Sequence, residues 1–338
     1  MDDLHKSPDG VGKKSEKKEF WTIMFTKDRE SEIDYISESN ETDRKNAGMD
    51  RVGQLNDSAF KSRAGDQHSK GIVNKSLDYS LTEDNPQEDT RLIDTFEDGT
   101  YRVQFMNGLY EGEIRDSRRN GEGSYLWNDG SKYSGEWKDD QKHGEGTFTW
   151  PCGDVYTGTY QHDKREGFGT KTYVNGDVYI GQWRDGRKEG QGEFTWANGD
   201  SYSGEFKNNL KDGIGIKTWI NGCKYEGEWI DDRMDGYGEF SWPEGDTYSG
   251  QYLRGKRHGN GTKIWASGTE YSGSWIEDRR EGYGILKYND GRSHRGNFVN
   301  NLKHGEGEEV QPDGKKIIGI WANGKLLEQK GEDYTLLQ

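Results

Sequence analysis

Cysteine is nearly absent from this sequence: Cys152 and Cys223 are the only two in 338 residues, and they stand at different offsets in non-adjacent copies of a repeating unit. No disulfide is expected between them, and a reducing cytoplasm is the expected compartment. The Asn-x-Ser/Thr sequons, such as Asn260-Gly261-Thr262, then carry no meaning for glycosylation. Long apolar runs are missing too. A spanning helix needs roughly 20 consecutive apolar residues, and neither such a run nor an apolar signal region after Met1 is present. The third absence is an excess of base. The formal charge is −15, divided into −7 for residues 1 to 109 and −8 for residues 110 to 338. Neither part offers the basic footprint that nucleic acid requires. Membrane lipid is disfavoured on the same ground, although local basic patches exist.

Glycine and tyrosine, by contrast, are plentiful and periodic. Tyrosine stands at Tyr110 and again every 23 residues, at Tyr133, Tyr156, Tyr179, Tyr202, Tyr225, Tyr248 and Tyr271. The register runs on through His294 and Ile317 without insertion or deletion. With that position as offset zero, glycine recurs at offsets 2, 11, 13 and 20 in nine full copies, using 36 of the 49 glycines. So strict a period marks stacked identical units. In the copy YSGEWKDDQKHGEGTFTWPCGDV, residues 133 to 155, Tyr133, Gly135 and Trp137 alternate with Ser134 and Glu136. Gly146, Phe148 and Trp150 alternate in the same way with Glu145, Thr147 and Thr149. A period of two describes a strand with one buried face and one wet face. Pairs such as Asn175-Gly176 and Asp290-Gly291 read as tight turns with positive φ at both central residues. The segment between the two strands of a copy, here KDDQKHG, reads as a polar loop too charged to be buried. Glycines inside the strands are expected to let neighbouring rings lie flat over the backbone. The fold class is therefore all-β: an elongated, single-layer antiparallel sheet of tandem hairpins with a thin aromatic layer on one face. At ~4.8 Å per strand it extends to the order of 85 Å.

The pattern YxGEW, then GxG, then an aromatic and an Asn/Asp-Gly turn at 23-residue spacing resembles the MORN repeat (membrane occupation and recognition nexus) over residues 110 to 325. The resemblance implies an elongated twisted sheet that binds partner proteins. It also implies settings, since members occur in radial spokes of cilia, in parasite cytoskeletal collars and in junctional membrane proteins. Some are fused to lipid-kinase or lysine-methyltransferase domains. Full repeats start at 110, 133, 156, 179, 202, 225, 248, 271 and 294, with a partial one at 317. Residues 326 to 338 read as a C-terminal tail, too short for a fused enzyme. Residues 90 to 109, where Asp98-Gly99 and Asn107-Gly108 flank TYRVQF, read as a divergent capping hairpin. Residues 1 to 89 are polar and aperiodic, and a disordered tail is expected there. Its one apolar motif is EFWTIMF, where Phe20, Trp21, Ile23, Met24 and Phe25 form either a chance cluster or a docking peptide.

Motifs that carry chemistry are scarce. GQYLRGKR from Gly250 and GIWANGKL from Gly319 approach a phosphate-binding loop, but Arg257 and Leu326 stand where Ser or Thr is required, and both begin inside a strand. His143, His258 and His304 share offset ten, yet the first two lie five copies apart, about 48 Å along the ribbon. Zinc ligands must meet within a few ångströms. The acidic stretch WIDDRMDG lacks the terminal Glu of a calcium loop, because Trp242 occupies that place. No nucleophile and base stand together. No enzyme activity, cofactor or metal is expected.

A longer period is more informative. Offset fifteen reads Tyr125, Phe148, Lys171, Phe194, Lys217, Phe240, Lys263, Leu286 and Glu309, and at offset four Trp137, Trp183, Trp229, Trp275 and Trp321 alternate with Tyr160, Phe206, Tyr252 and Phe298. From residue 133 the unit is thus a doublet of 46 residues. By parity, Lys171, Lys217 and Lys263 share the aromatic face with Trp183, Phe194, Trp229 and Phe240. Two readings follow: lysine stems covering rings, or a groove of rings and cations that binds an acidic, hydrophobic peptide. The resulting expectation is a non-catalytic scaffold binding cytoskeletal or axonemal proteins. The rivals are a peripheral membrane organiser, holding acidic phospholipids through the copies starting at Tyr202 and Tyr248, and a regulatory subunit of a separate enzyme. At the other end, IIGIW places Ile318 and Ile320 beside Trp321 where earlier copies are polar. An edge strand apolar on both faces invites pairing, so it is expected to be covered, either by KLLEQ from Lys325 or by a second chain in a homodimer.

Overall fold

The computed structural model describes residues 90 to 334, so the expected N-terminal tail and its motif from Phe20 to Phe25 lie outside the described residues. The described residues form 22 strands and no helix, from β1 (Arg91–Thr95) to β22 (Lys325–Tyr334). They make one antiparallel sheet in which each strand pairs with the next in sequence. One repeat supplies one hairpin, as in β5 (Lys132–Lys138) and β6 (Gln141–Thr149).

The turns differ from the sequence reading. The stretch KDDQKHG is not a loop: Lys138 pairs with Gln141 across a two-residue turn, in which Asp139 and Asp140 both have positive φ (49° and 68°). These are the turns whose twist matches a hairpin, and Asp and Asn tolerate the left-handed region well enough to build them without glycine. The Asn/Asp-Gly sites at the joins between copies, such as Asp129-Gly130 and Asn175-Gly176, are three-residue connections instead, whereas Asp185-Gly186 and Asn323-Gly324 are two-residue turns. At Asn175-Gly176 only the glycine has positive φ (91°); Gly176 N donates to Tyr173 O (2.9 Å) and Tyr173 N donates to Asp177 O (2.8 Å). That is a type I turn closed by a left-handed glycine.

A bulge sits inside every hairpin. Gly135 faces Gly146 and Trp137 faces Lys142, so His143, Gly144 and Glu145 stand opposite Glu136 alone. The Glu136 carboxylate fills the gap by accepting from Glu145 N at 3.0 Å, and Glu113, Gln182, Glu205, Glu228 and Gln251 do the same in their copies. The Glu of YxGEW is therefore a bulge residue. Because a bulge shifts the alternation of faces, it also turns offset nine, here Lys142, toward the rings; its ammonium is 5.1 Å from the Phe148 ring.

Burial without a second layer comes from rings that lie flat. The eight repeat tyrosines are at most 1% exposed. Tyr133 lies over Gly146 and donates to Glu136 O at 2.9 Å. Trp137 meets Tyr133 edge-on at 5.1 Å and Tyr110 of the preceding copy at 5.7 Å, while its Nε1 donates to Gly123 O. The same contacts recur copy after copy, giving one unbroken row of edge-to-face rings.

At the C-terminal end, β21 (Lys315–Ala322) is covered by β22, with Ile318 facing Gly331 and Ile320 facing Glu328. The stretch read as a tail from residue 326 is thus a strand as far as Tyr334. Ile318 is half-exposed on the polar face, and Trp321 is buried against His294. Of the two covers expected for IIGIW, the chain supplies the first, and β21 is not the bare edge that would call for a second chain.

Candidate functional site

The aromatic face carries three rows. Its floor is the buried row at offsets zero and four. Along the type I turn side runs a row at offset seventeen, from Trp127, Trp150, Tyr173, Trp196 and Trp219 on to Tyr288, every member partly exposed. Along the two-residue-turn side runs a row at offset nine: Arg119, Lys142, Arg165, Lys188, Lys211, Arg257, Arg280 and Lys303, with Met234 as the exception. Successive members of a row are two strands, roughly 10 Å, apart.

The residues expected to bind a partner do share this face, but they sit deep in it. Trp183 and Trp229 are buried and donate through Nε1 to Gly169 O and Gly215 O. Phe194 is buried and Phe240 partly so. Lys171, Lys217 and Lys263 turn their ammonium groups inward, each onto an aspartate of the preceding copy: Asp154 at 3.0 Å, Asp200 at 3.2 Å and Asp246 at 2.7 Å. Those aspartates also accept from the backbone of the next turn, at Val174, Ile220 and Ala266. Lys217 lies 3.3 Å from the Trp196 ring centre and Lys263 lies 3.4 Å from that of Trp242. Burial pulls both lysines below their ordinary range while the aspartates hold them charged. Asp200 is held low by the bond from Ile220 N and by Lys217, and Asp246 by Lys263 first and Ala266 N second. This geometry is that of a staple between copies, and it recurs at the 46-residue spacing of the doublet. Lys263→Gln is expected to lower stability by about 2 kcal/mol, because it strands a partly buried carboxylate. Lys263→Met with Asp246→Asn should recover most of that loss; urea midpoints of the three chains check it.

Sequence reasoning misses the offset-nine cations because the charged stretch around them reads as a loop. Their signal is a basic residue at one offset in eight of nine copies. Each lies over rings, as Arg119 over Trp137 (4.2 Å) and Arg165 over Trp183 (4.2 Å). Most also meet an acid. Arg119 pairs with Asp140 at 3.0 Å, Lys142 with Asp163 at 3.8 Å, Lys211 with Asp232 at 3.1 Å and Arg257 with Asp278 at 2.9 Å. In each case the carboxylate belongs to the turn of the following copy.

The two candidate phosphate loops are ordinary stretches of the repeat. Gly250 to Arg257 runs strand, two-residue turn, strand, with Arg254-Gly255 as the turn. Gly319 to Leu326 does the same around Asn323-Gly324. Among the described residues no three His, Cys, Asp or Glu side chains are grouped to hold a metal.

A family model for the MORN repeat matches residues 110–132, 133–155, 156–178, 179–201, 202–224, 225–247, 248–270, 271–291 and 294–316. The chain belongs to the MORN-repeat family. These MORN copies coincide with the hairpins from residue 110 onward, and the bulge and the flat tyrosine are what the repeat encodes. No curated protein matches the sequence. Among solved structures, the TCP domain of SAS-4 from Drosophila melanogaster, in complex with a proline-rich motif of Ana2, is 16% identical with a TM-score of 0.30, covering 46% of this chain and 85% of that one. The TCP10 domain of Danio rerio CPAP is 12% identical with a TM-score of 0.24, covering 72% of this chain and 100% of that one. Likeness at these scores carries no argument about role.

Proposed function

We propose that this MORN chain is a non-catalytic scaffold that binds protein partners of a cytoskeletal or ciliary assembly through its aromatic face. The observation behind this reading is the pairing of two partly exposed rows, rings at offset seventeen and cations at offset nine, over a floor rigidified by buried tyrosine. Aromatic side chains and arginine supply most of the energy of protein interfaces, and a sheet so braced presents them at fixed spacing. The cytoskeletal setting rests on where MORN repeats occur and not on geometry.

A second reading has its own observation. On the polar face, Ile230, Leu253, Ile276 and Val299 are exposed at one offset in four successive copies, interleaved with Arg233, Lys256 and Arg279. Alternating apolar and basic side chains suit an anionic lipid surface, against which the net charge of −15 acts. Co-sedimentation with vesicles, with and without phosphoinositide, separates the two. The scaffold reading expects the protein to stay in the supernatant with both. Sedimentation that is lost in Leu253→Asp with Ile276→Asp would establish the membrane reading instead.

A further inference from the structure

The row of cations over the aromatic face meets acid at five positions, Lys303 through Glu309 of its own copy. Among the described residues it lacks acid at Arg165, Lys188 and Arg280, of which the first two are consecutive; Arg280 faces Asn301. Arg119, Lys142, Lys211 and Arg257 each meet an aspartate from the turn of the next copy, always at the same offset: Asp140, Asp163, Asp232 and Asp278. Between them, two consecutive positions lack that acid. Arg165 finds Gly186 there and donates only to its carbonyl. Lys188 finds Asn209, whose Oδ1 accepts from Lys188 N at 2.9 Å, as the Oδ1 of Asp163 and of Asp232 accept from Lys142 N and Lys211 N. The backbone contact is therefore kept while the charge is removed. Among the described residues neither Arg165 nor Lys188 forms an ion pair. The Lys188 ammonium is left over the rings of Phe194 (4.6 Å), Phe206 (5.2 Å) and Tyr179 (5.3 Å). Burial without an adjacent anion brings its pKa down to about 8. A buried cation is stabilised only when something pairs with it.

Resting on the scaffold reading, we propose that Arg165 and Lys188 form a carboxylate-accepting site, which an acidic and apolar peptide of a protein partner fills with Asp or Glu side chains where the sheet omits its own. Tyr173 and Trp196, partly exposed beside Phe194, are the rings such a peptide meets with its apolar side chains. The two cations are two strands apart, roughly 10 Å. An extended peptide spans that distance in about three residues, so acids three apart reach both. The site selects for acid because a neutral amide there leaves both charges unpaired.

The sheet itself supplies the decisive variant. Asn209→Asp restores the residue type that four other copies carry and places a built-in competitor beside Lys188. The probe is a fluorescein-labelled peptide with glutamate at every third position and leucine and tryptophan between, together with its glutamine counterpart, titrated against the full chain by anisotropy. The expected result is that Asn209→Asp weakens the glutamate peptide about tenfold or more and Lys188→Gln does likewise, while neither melts earlier than wild type by more than a few degrees. The glutamine peptide should bind weakly to all three. Equal affinity of the glutamate peptide for wild type and Asn209→Asp overturns the site, as does equal affinity of wild type for the two peptides. Failure of wild type to bind the glutamate peptide at all also overturns it. None of these outcomes bears on whether some protein binds the aromatic face, which crosslinking from Trp196 decides separately.

Discussion

Gly215→Ala should destabilise the sheet by about 3 kcal/mol or more, the opposite sign from most glycine replacements in a strand. Alanine ordinarily gains about 0.4–1 kcal/mol by restricting the unfolded chain. At Gly215 the added Cβ would lie 2.3 Å from the Tyr202 hydroxyl and 2.5 Å from the ring. The ring then has to lift from the backbone. It loses the bond from its hydroxyl to Glu205 O and its edge-on contacts with Phe206 and Trp229. Those losses combine a buried hydrogen bond with the strain of overpacking. Gly331, where an added methyl would meet nothing within 4 Å, is the control, and alanine there should be neutral or mildly stabilising. Urea denaturation followed by circular dichroism reads both. Since each hairpin is stabilised chiefly by its neighbours, the Gly215 variant should also broaden the transition.

The second large effect concerns His294, which stands where eight other copies have tyrosine. It is 1% exposed, and neither ring nitrogen has a hydrogen-bond partner. Burial lowers its pKa to about 4; Lys303 pushes the same way and Glu309, directly across the strand pair, opposes. The folded chain therefore takes up this proton less readily than the unfolded chain, whose histidine titrates near 6.5. Stability from this group is complete above about pH 6.5 and is lost as the pH falls toward 4, by about 3 kcal/mol across that window. His294→Tyr should remove this pH dependence. It should also raise stability at pH 7, because a tyrosine hydroxyl there reaches Asn297 O as its counterparts reach the same offset. Gly296 and Gly307 are still glycine and leave the space. Melting temperatures of both chains between pH 7 and 4.5 check this: the curves should diverge as the pH falls. Parallel curves would show that His294 is not the titrating group.

Much of the architecture is legible in the sequence because the 23-residue period is unbroken and alternation of period two marks strands directly. The flat tyrosines follow from glycines placed where ring and backbone must touch. The turns are not legible. Asn-Gly is the familiar signal of a two-residue turn, yet at Asn175-Gly176 and its counterparts it closes a three-residue connection, while pairs such as Asp139-Asp140 and Asn208-Asn209 make two-residue turns, since both residue types accept positive φ. That misreading hides the cation row. With KDDQKHG read as loop, Lys142 has no face, and only the bulge at His143 to Glu145 assigns it one. Parity places the lysines at offset fifteen on the correct face, but nothing local in the sequence tells that each meets an aspartate seventeen residues earlier. Charge at a strand position reads as exposure until its partner is known.

Site-specific photo-crosslinking tests the scaffold reading most directly. Benzoylphenylalanine replacing Trp196, on the aromatic face, is compared with the same group replacing Glu193, which is exposed on the polar face one strand position from Phe194. Both chains are irradiated in cells that express the protein. Protein adducts from position 196 that are absent from position 193 are the expected result. Adducts from position 193 alone, or from neither position, would contradict binding through the aromatic face.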